Sequence, residues 1–186
     1  MSEQKKDQTF LEVKDLKVEY FSDGQTVHAV NGVSLKIERG KTLGLVGETG
    51  AGKTTIAKSI LRILPDVGAK VTEGKVYLDG QELFALPEQE MRKIRGNGIS
   101  MIFQDPMTAL NPVQTVGDQI AEVVRLHNAG SKESFEKRAR EMLEMVGIPG
   151  DRYHEYPHQF SGGMKQRVVI AIALACNPGL LLADEP

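Results

Sequence analysis

The sequence predicts an α/β fold with a parallel sheet at its core and an antiparallel β region ahead of it. Apolar and polar residues alternate through residues 11–18 and 33–37, which is the period of half-buried strands. Short apolar runs at residues 42–46, 99–103 and 180–183 are typical of strands buried on both faces of a parallel sheet. The first of these runs leads through a glycine-rich loop into helical spacing, so we expect a strand, a loop and a helix in that order.

The composition is that of an ordinary globular protein. The chain has 186 residues, enough for one domain with a second lobe but hardly for a second independent fold. Lys and Arg number 23 against 25 Asp and Glu, so the chain lacks the basic surplus of a nucleic-acid-binding protein. Hydrophobic residues at 40% and charged residues at 26% exclude a disordered or fibrous chain.

Three features bear on the compartment. The longest apolar run, residues 168–176, is far shorter than the ~20 residues of a membrane-spanning helix. Residues 1–8 are polar and no apolar segment follows them directly, so we expect no secretory signal. The single cysteine, Cys176, is predicted to be a small buried residue in a reducing compartment. We therefore expect a soluble, cytoplasmic chain.

The first half of the chain gives its elements in order. Residues 22–25 form a turn cluster that joins the first two strands into an antiparallel pair. Helical spacing begins at Lys53, and Pro65 is predicted to end that helix because proline cannot continue one. Alternation at residues 76–78 indicates a strand before a turn, and a short helix follows over residues 87–94 with proline at its first position.

The second half is mostly helical. Residues 116–147 carry apolar residues at helical spacing, and Gly147 is placed to cap the C-terminus. Glu136 and Arg140 are four residues apart in the favourable order, which is typical of a solvated helix face. A further helix is predicted to begin after Ser161.

Residues 47–54 match the phosphate-binding pattern G-x-x-x-x-G-K-[ST] at every fixed position. Glycines allow successive backbone N–H groups to face an anion, and the N-terminus of the following helix adds positive charge. Lys53 can reach the β- and γ-phosphates of a nucleotide, and the Thr54 hydroxyl can ligate Mg²⁺. The candidate nucleotide-binding residues of this loop are Gly47, Glu48, Thr49, Gly50, Ala51, Gly52, Lys53, Thr54 and Thr55. The loop by itself indicates a nucleoside triphosphate without deciding among kinase, GTPase and motor.

Two carboxylates follow the apolar run at residues 180–183. A parallel sheet presents ligand-binding groups at the carboxyl ends of its strands. Asp184 is therefore a candidate ligand of Mg²⁺, and Glu185 is a candidate to polarise an attacking water. Two acids alone are more often simply solvated, but their combination with a phosphate-binding loop favours the catalytic interpretation.

A Ser-Gly-Gly sequence, Ser161-Gly162-Gly163, stands at the start of the last predicted helix. Glycines and a hydroxyl at a helix N-terminus can bind a second phosphate, although an ordinary serine cap is the simpler interpretation. His154 and His158 could be considered a metal pair, but their loop context favours surface or packing histidines.

These motifs together resemble the ABC-type ATPase subunits of membrane transporters. The resemblance depends on the phosphate-binding loop, a glutamine after a strand at Gln104, the Ser-Gly-Gly sequence and the strand that ends in two carboxylates. Longer strings at residues 101–112, 156–164 and 173–178 are similar to the oligopeptide/dipeptide importer branch, which also includes nickel importers. The resemblance implies a P-loop (RecA-like) parallel sheet core, an N-terminal antiparallel β subdomain and a helical subdomain.

The resemblance also implies a role for individual residues. Gln104 would sense the γ-phosphate, ligate Mg²⁺ together with Thr54 and Asp184, and assist catalysis by Glu185. Ser161, Gly162 and Gly163 would bind the γ-phosphate of ATP held by the opposite subunit. Tyr20 or Phe21 would stack on adenine. The family's usual glutamine after Ser-Gly-Gly is replaced by Met164, a change common in the peptide branch.

The domain division implied by the resemblance is a single ABC-type nucleotide-binding domain over residues 1–186. Its parts would be an antiparallel β region at about 10–40, a P-loop core at 41–104, a helical lobe with the signature loop at 105–165, and the signature helix with the final strand at 166–186. Members of the family continue past the carboxylate pair. We therefore expect that the C-terminal part of the core is missing, and that the chain is a marginally stable fragment with weak or no hydrolysis.

The implied function is that of an ATP-binding and ATP-hydrolysing motor subunit of a peptide importer, with ATP and Mg²⁺ as cofactors. Implied partners are a second ABC ATPase subunit, identical or homologous, the transmembrane permeases and, indirectly, an external solute-binding protein, with no nucleic acid. Such a subunit would lie on the inner face of the cell membrane. One alternative is a catalytically incompetent nucleotide-binding fragment. Another is a soluble ABC-type ATPase acting on nucleic acid or ribosomes, which the acidic balance disfavours.

Overall fold

A computed structural model describes residues 9–22 and 24–185. They divide into two compact units, and the boundary falls between Met91 and Arg92. Among these residues no helix has the length and apolar character needed to cross a membrane. The chain is mixed α/β, as the sequence predicts.

The first unit contains a four-stranded antiparallel sheet in the order β2-β1-β3-β4. Its strands are β1 (Thr9–Ser22), β2 (Gln25–Glu38), β3 (Ala69–Leu78) and β4 (Gln81–Glu82). The antiparallel β region predicted from the alternating residues is therefore confirmed. The predicted turn after β3 is also present, because Asp79 and Gly80 both adopt positive φ angles, 49° and 81°, between paired residues of a hairpin.

From Leu11 onward, the buried residues of β1 are at odd-numbered positions up to Val13 and at even-numbered positions beyond it. Val13 and Leu16 are both buried although they are three residues apart, and the register with both neighbouring strands shifts between them. Asp15, with a φ of 47°, occupies the resulting bulge. Gly74 of β3 faces it with a φ of 103°, and a Cβ on Gly74 would lie 2.6 Å from the Cα of Leu16. The bulge therefore requires glycine opposite it.

Residues 42–46 are not the buried strand that their apolar sequence predicts. Leu43 and Leu45 are 47% and 44% exposed, and Val46 is 95% exposed. A strand needs a neighbouring strand to pair its backbone N–H and C=O groups, and neither sheet of the described residues includes this segment. The prediction was wrong because apolar sequence indicates a preference for burial but does not supply the pairing strand.

The first helix, α1 (Lys53–Ile60), begins where the sequence predicts but ends five residues before Pro65. Arg62 takes a left-handed conformation with a φ of 53°. Its N–H donates to the carbonyl of Ser59 at 3.0 Å, and the N–H of Ile63 donates to that of Lys58 at 3.0 Å. This hydrogen-bond pair is a Schellman motif, which satisfies the last carbonyl groups without any proline. The next helix, α2 (Glu88–Ile94), agrees with the prediction.

The second unit joins a two-stranded parallel sheet to a group of helices. Its elements are β5 (Ile99–Ile102), α3 (Pro106–Ala109), α4 (Val116–His127), α5 (Lys132–Met145), two 3₁₀ helices (Gly150–His154 and Pro157–Gln159), α6 (Gly162–Leu174) and β6 (Leu180–Ala183). The pairing of β5 with β6 is parallel, from Ile99 opposite Leu180 to Ile102 opposite Ala183. Both strands therefore agree with the prediction from their apolar runs.

The helical stretch predicted at residues 116–147 is two helices, because residues 128–131 separate α4 from α5. Ser131 begins α5, and its hydroxyl accepts a hydrogen bond from the backbone N–H of Ser134. Gly147 follows the end of α5 with a φ of 72°, as its predicted capping position requires. On the solvated face of α5, the predicted Glu136–Arg140 ion pair closes at 2.7 Å.

The core of the second unit lies where α4, α5 and α6 meet. Ile120, Met142 and Val168, one from each helix, are completely buried. Gly117 permits a close approach of α4 to the buried ring of Tyr153, since a Cβ there would lie 2.1 Å from the ring. The cores of such helix groups are packed too densely to accept added atoms without displacement.

Cys176 is half-buried, whereas the sequence predicts a buried residue. Its thiol lies 3.5 Å from the carbonyl of Val123. Burial raises the pKa of the thiol above its ordinary value. A raised pKa disfavours the reactive thiolate, so the residue fills space in the helical group.

Candidate nucleotide site

The phosphate-binding loop of the first unit folds around the side chain of Lys53. The lysine Nζ donates to the carbonyl oxygen of Gly47 at 2.7 Å and to that of Glu48 at 2.9 Å. The backbone N–H of Ala51 donates back to Glu48 at 3.1 Å and closes a turn. The loop thus holds the Lys53 ammonium group close to its own backbone. The positive charge of this group is what the binding of a polyphosphate requires.

Gly52 connects this loop to α1 and has no room for a side chain. Its φ is 88°, and a Cβ on it would lie 2.3 Å from the carbonyl oxygen of Ala29. Ala29 is an extra residue in β2, because Val18 pairs with Val30 while Glu19 pairs with His28. This bulge in β2 presents a carbonyl group against which the loop packs. Only glycine permits that approach.

The partial positive charge at the N-terminus of α1 is not neutralised by the helix itself. No acidic residue lies in its first turn, and no side-chain hydrogen bond caps it. Thr54 and Thr55 follow Lys53 in that turn and are half-buried. Gly50, with a φ of 83°, has no atom within 4 Å of the position of a Cβ. An anion placed against the loop would meet the partial positive charge of the helix end and the ammonium group together.

Tyr20 and Phe21 lie at the end of β1. Tyr20 pairs with Val27 and is half-buried, whereas Phe21 is 45% exposed. Tyr20 is two residues beyond Val18, whose partner on β2 adjoins the carbonyl that Gly52 contacts. Two strand residues span about 7 Å, so the backbone of Tyr20 lies close to the part of β2 against which the loop packs. Both remain candidates for stacking on a base.

In the second unit, Gln104 and Glu185 are in contact although 81 residues separate them in sequence, because the parallel strands β5 and β6 end side by side. Gln104 Nε2 donates to Glu185 Oε2 at 2.6 Å. The N–H of Asp184 donates to the carbonyl of Ile102 at 3.0 Å and continues the ladder. Glu185 adopts a φ of 50°, a strained conformation of the kind that is concentrated at functional sites.

Ser161 is the N-cap of α6, as its simpler interpretation predicts. Its hydroxyl accepts from the backbone N–H of Met164 at a long 3.4 Å. Gly162 and Gly163 are exposed, and no atom lies within 4 Å of the position of a Cβ on either. The three residues, which are the N-cap and the first two residues of α6, therefore form an open helix start, called the Ser-Gly-Gly loop below, that a second phosphate could approach. That role remains a prediction.

Comparison with known proteins decides the family, because the ABC transporter family model matches residues 30–186. The chain belongs to the ABC transporter family. The dipeptide transport ATP-binding protein DppD of Bacillus subtilis (strain 168) is 52% identical over 178 residues, which are 95% of this chain and 53% of that protein. The oligopeptide transport ATP-binding protein OppD of the same strain is 49% identical, over 95% of this chain and 50% of that protein.

A similar solved structure is the dimeric post-hydrolysis state of the ATP-binding cassette MJ0796 bound to ADP and Pi. It has a TM-score of 0.82 and 33% identity, covering 94% of this chain and 73% of that one. The ABC chain described here spans about half the length of the curated relatives named above.

Among the described residues of this ABC chain, no group of three or more His, Cys, Asp and Glu side chains could hold a metal ion. His154 Nε2 lies 3.2 Å from Arg140 Nη2, and its ring packs edge-on against Tyr153. His158 stacks on Tyr156 with ring centroids 5.8 Å apart. Both are packing histidines on the surface, as predicted.

Motif analysis missed two features of the ABC site. The bulge at Ala29 carries no sequence signal, because any residue can supply a carbonyl group. Arg152 was also missed, although its guanidinium touches the chain on both sides of the Ser-Gly-Gly loop. The only signal was the spacing of Arg152 and Glu155, three residues apart in a segment that is not an α-helix.

Proposed function

We propose that this chain is the ATP-binding and ATP-hydrolysing part of an ABC importer subunit for peptides. The observation that carries the proposal is the glycine loop wrapped around the Lys53 ammonium group. The names of the relatives, dipeptide and oligopeptide transport ATP-binding proteins, support the peptide class of solute.

The reaction would be the transfer of the γ-phosphoryl group of ATP to water. The loop N–H groups and Lys53 bind the β- and γ-phosphates, and Tyr20 or Phe21 stacks on adenine. Glu185 accepts the proton of the attacking water, and its Oε1 serves this role while Oε2 accepts the hydrogen bond from Gln104. General-base catalysis of this kind contributes about 10²–10⁴-fold to the rate.

The oxygen donors of Thr54, Gln104 and Asp184 suit a magnesium ion. A hydroxyl, an amide oxygen and a single carboxylate, completed by phosphate oxygens, are the ligands that Mg²⁺ takes in ATPases. When bound, Mg²⁺ neutralises the charge that develops between the β- and γ-phosphates.

The Ser161–Gly163 loop would bind ATP held by a second ABC ATPase subunit, identical or homologous. The dimeric state of the ATP-binding cassette MJ0796 supports this assembly. Further partners would be transmembrane permeases and, through them, an external solute-binding protein, with this subunit on the inner face of the cell membrane. The net charge of −2 supports the expectation that nucleic acid is not a partner.

Calorimetric titration with Mg-ATP tests the proposal on the chain itself. Lys53→Ala removes the ammonium from the loop, and we expect its Kd to rise at least about tenfold, which corresponds to 1.4 kcal/mol. Lys58→Ala in the last turn of the same helix is the matched control and should bind as the wild type does. A wild type without saturable binding, or a Lys53→Ala variant with unchanged affinity, contradicts the proposal.

A second candidate is nucleotide binding without turnover. The observation that favours it is the exposed, unpaired segment at residues 42–46, which directly precedes the loop. A loop that is not preceded by a paired strand would bind ATP but hold the γ-phosphate less firmly. Phosphate release measured on the chain that binds Mg-ATP distinguishes the two candidates.

A further inference from the structure

Arg152 lies in the first 3₁₀ helix of the second unit and contacts the chain on both sides of the Ser-Gly-Gly loop. Before the loop, its Cζ lies 4.3 Å from the centroid of the Phe160 ring, and its Nη2 donates to the carbonyl oxygen of Gln159 at 3.3 Å. After the loop, its Nη1 lies 3.5 Å from the Sδ of Met164. One guanidinium thus connects both ends of the segment that carries Ser161.

The guanidinium is itself held in place by Glu155. Arg152 Nε lies 2.9 and 3.0 Å from the two carboxylate oxygens, and Nη2 lies 2.5 Å from Oε2. Arg152 holds the pKa of the Glu155 carboxyl below its ordinary value, and Glu155 raises that of Arg152. A planar fork with several donors suits this arrangement, since a lysine ammonium cannot bridge three partners in fixed directions.

The N–H of Lys165 donates to the carbonyl of Ser161 at 2.9 Å and begins α6, but the side-chain contacts at this helix start are weak. The capping hydrogen bond of Ser161 is long, and Gly162 and Gly163 have open space around them. By contrast, the Phe160 ring against which Arg152 lies is only 5% exposed. Phe160 is therefore the firmly packed residue next to the loop, and the guanidinium of Arg152 links it to Met164.

We infer that Arg152 is a positioning residue for the Ser161–Gly163 loop, holding it in the geometry that receives the γ-phosphate of ATP on the opposite subunit. The inference rests on the proposed function. A binding group misplaced by about 1 Å can lower a rate about 10²-fold, so a small loss of order in the loop is sufficient to impair turnover. All the contacts of Arg152 described above lie within the second unit.

The test compares Arg152→Met, Arg152→Lys and the control Arg125→Met in the full chain. Methionine keeps the apolar stem of Arg152, and lysine keeps its charge without the fork. Arg125 forms an i,i+3 pair with Glu122 on α4 at 3.9 Å, and it matches Arg152 in charge and spacing. Circular dichroism checks that each variant is folded.

Two measurements are made on each variant. Hydrogen exchange is followed at the hydrogen-bonded amides of Gln159, Phe160, Met164 and Lys165, which flank the loop. Calorimetry gives the Kd for Mg-ATP, and phosphate release gives kcat. For Arg152→Met we expect about tenfold faster exchange at these amides, since local opening follows the contacts that hold a segment. We also expect kcat at least about tenfold lower with the Kd changed less than about twofold.

The outcomes separate the inference from the proposed function. Unchanged exchange in Arg152→Met overturns the inference whatever the turnover is. If the amides of Arg152→Lys exchange at the wild-type rate, a positive charge alone is sufficient to hold the loop, and the role of the guanidinium fork is overturned. Faster exchange with unchanged kcat overturns the link to the reaction. A wild type that releases no phosphate refutes the hydrolytic function and the catalytic part of the inference, while the exchange data still decide whether Arg152 holds the loop.

Discussion

Replacement of Gly52 by alanine tests the packing of the phosphate-binding loop on β2. The added Cβ would lie 2.3 Å from the carbonyl oxygen of Ala29, in a residue whose φ is 88°. The left-handed conformation costs a non-glycine residue about 1–2 kcal/mol, and forcing an atom into a packed site costs about 1–3 kcal/mol more. We therefore expect a loss of about 2–5 kcal/mol in the free energy of unfolding of the first unit.

Gly50→Ala is the matched control, because Gly50 lies in the same loop with a φ of 83° and no atom within 4 Å of its Cβ position. It carries the conformational strain without the clash, so it should cost about 1–2 kcal/mol. Native-state hydrogen exchange of the β1 amides measures the free energy of opening for both variants. Equal losses in Gly52→Ala and Gly50→Ala would refute the close approach to Ala29.

Three further predictions concern stability. Gly74→Ala places a Cβ 2.6 Å from the backbone of β1 and should cost about 2–5 kcal/mol, whereas Gly80→Ala, with open space around it, should cost about 1–2 kcal/mol in the same exchange measurement. Tyr153→Phe removes the hydrogen bond to Asp118 and should cost about 1 kcal/mol in urea unfolding. Burial first, and the hydrogen bond to Asp118 second, raise the pKa of the Tyr153 hydroxyl. Wild-type stability should therefore fall as the pH rises above about 10, the pKa of tyrosine in the unfolded chain. The same fall in Tyr153→Phe would contradict this. Arg167→Ala leaves the carbonyl groups of Val146 and Gly147, which directly follow α5, without their side-chain donor and should cost about 1–2 kcal/mol; no loss would show that water replaces the guanidinium.

Periodicity correctly predicted the strands that have a pairing strand within their own unit. The alternating residues of β1 and β2 and the buried runs of β5 and β6 all pair within their own unit. Residues 42–46 have an equally apolar sequence, but no strand of the described residues pairs with them. The sequence pattern predicts which residues of a strand are buried, but it does not predict which strand pairs with it.

Helix ends were predicted less well than helix starts. Capping hydroxyls and Pro87 mark starts locally, but α1 ends at an arginine in the left-handed conformation, which no rule of residue preference indicates. The break between α4 and α5 was missed because apolar spacing continues on both sides of residues 128–131.

Some residues of the site could be predicted from the sequence, and others could not. The residues of the phosphate-binding loop are contiguous, so their sequence pattern predicted their grouping. The contact of Gln104 with Glu185 follows from the parallel pairing of the strands that precede them. Arg152 and Ala29 act through a guanidinium fork and a backbone carbonyl placed by tertiary packing, and such contacts leave no short pattern in the sequence.

Phosphate release from Mg-ATP tests the central claim most directly, with Glu185→Gln as the partner variant. The amide is the same size as the carboxylate and cannot accept the proton of water. We expect weak turnover by the wild type, a further loss of about 10²-fold or more in Glu185→Gln, and equal Mg-ATP affinity in both. A wild type that binds Mg-ATP without releasing phosphate, or a Glu185→Gln variant as active as the wild type, would contradict the claim that this chain hydrolyses ATP through Glu185.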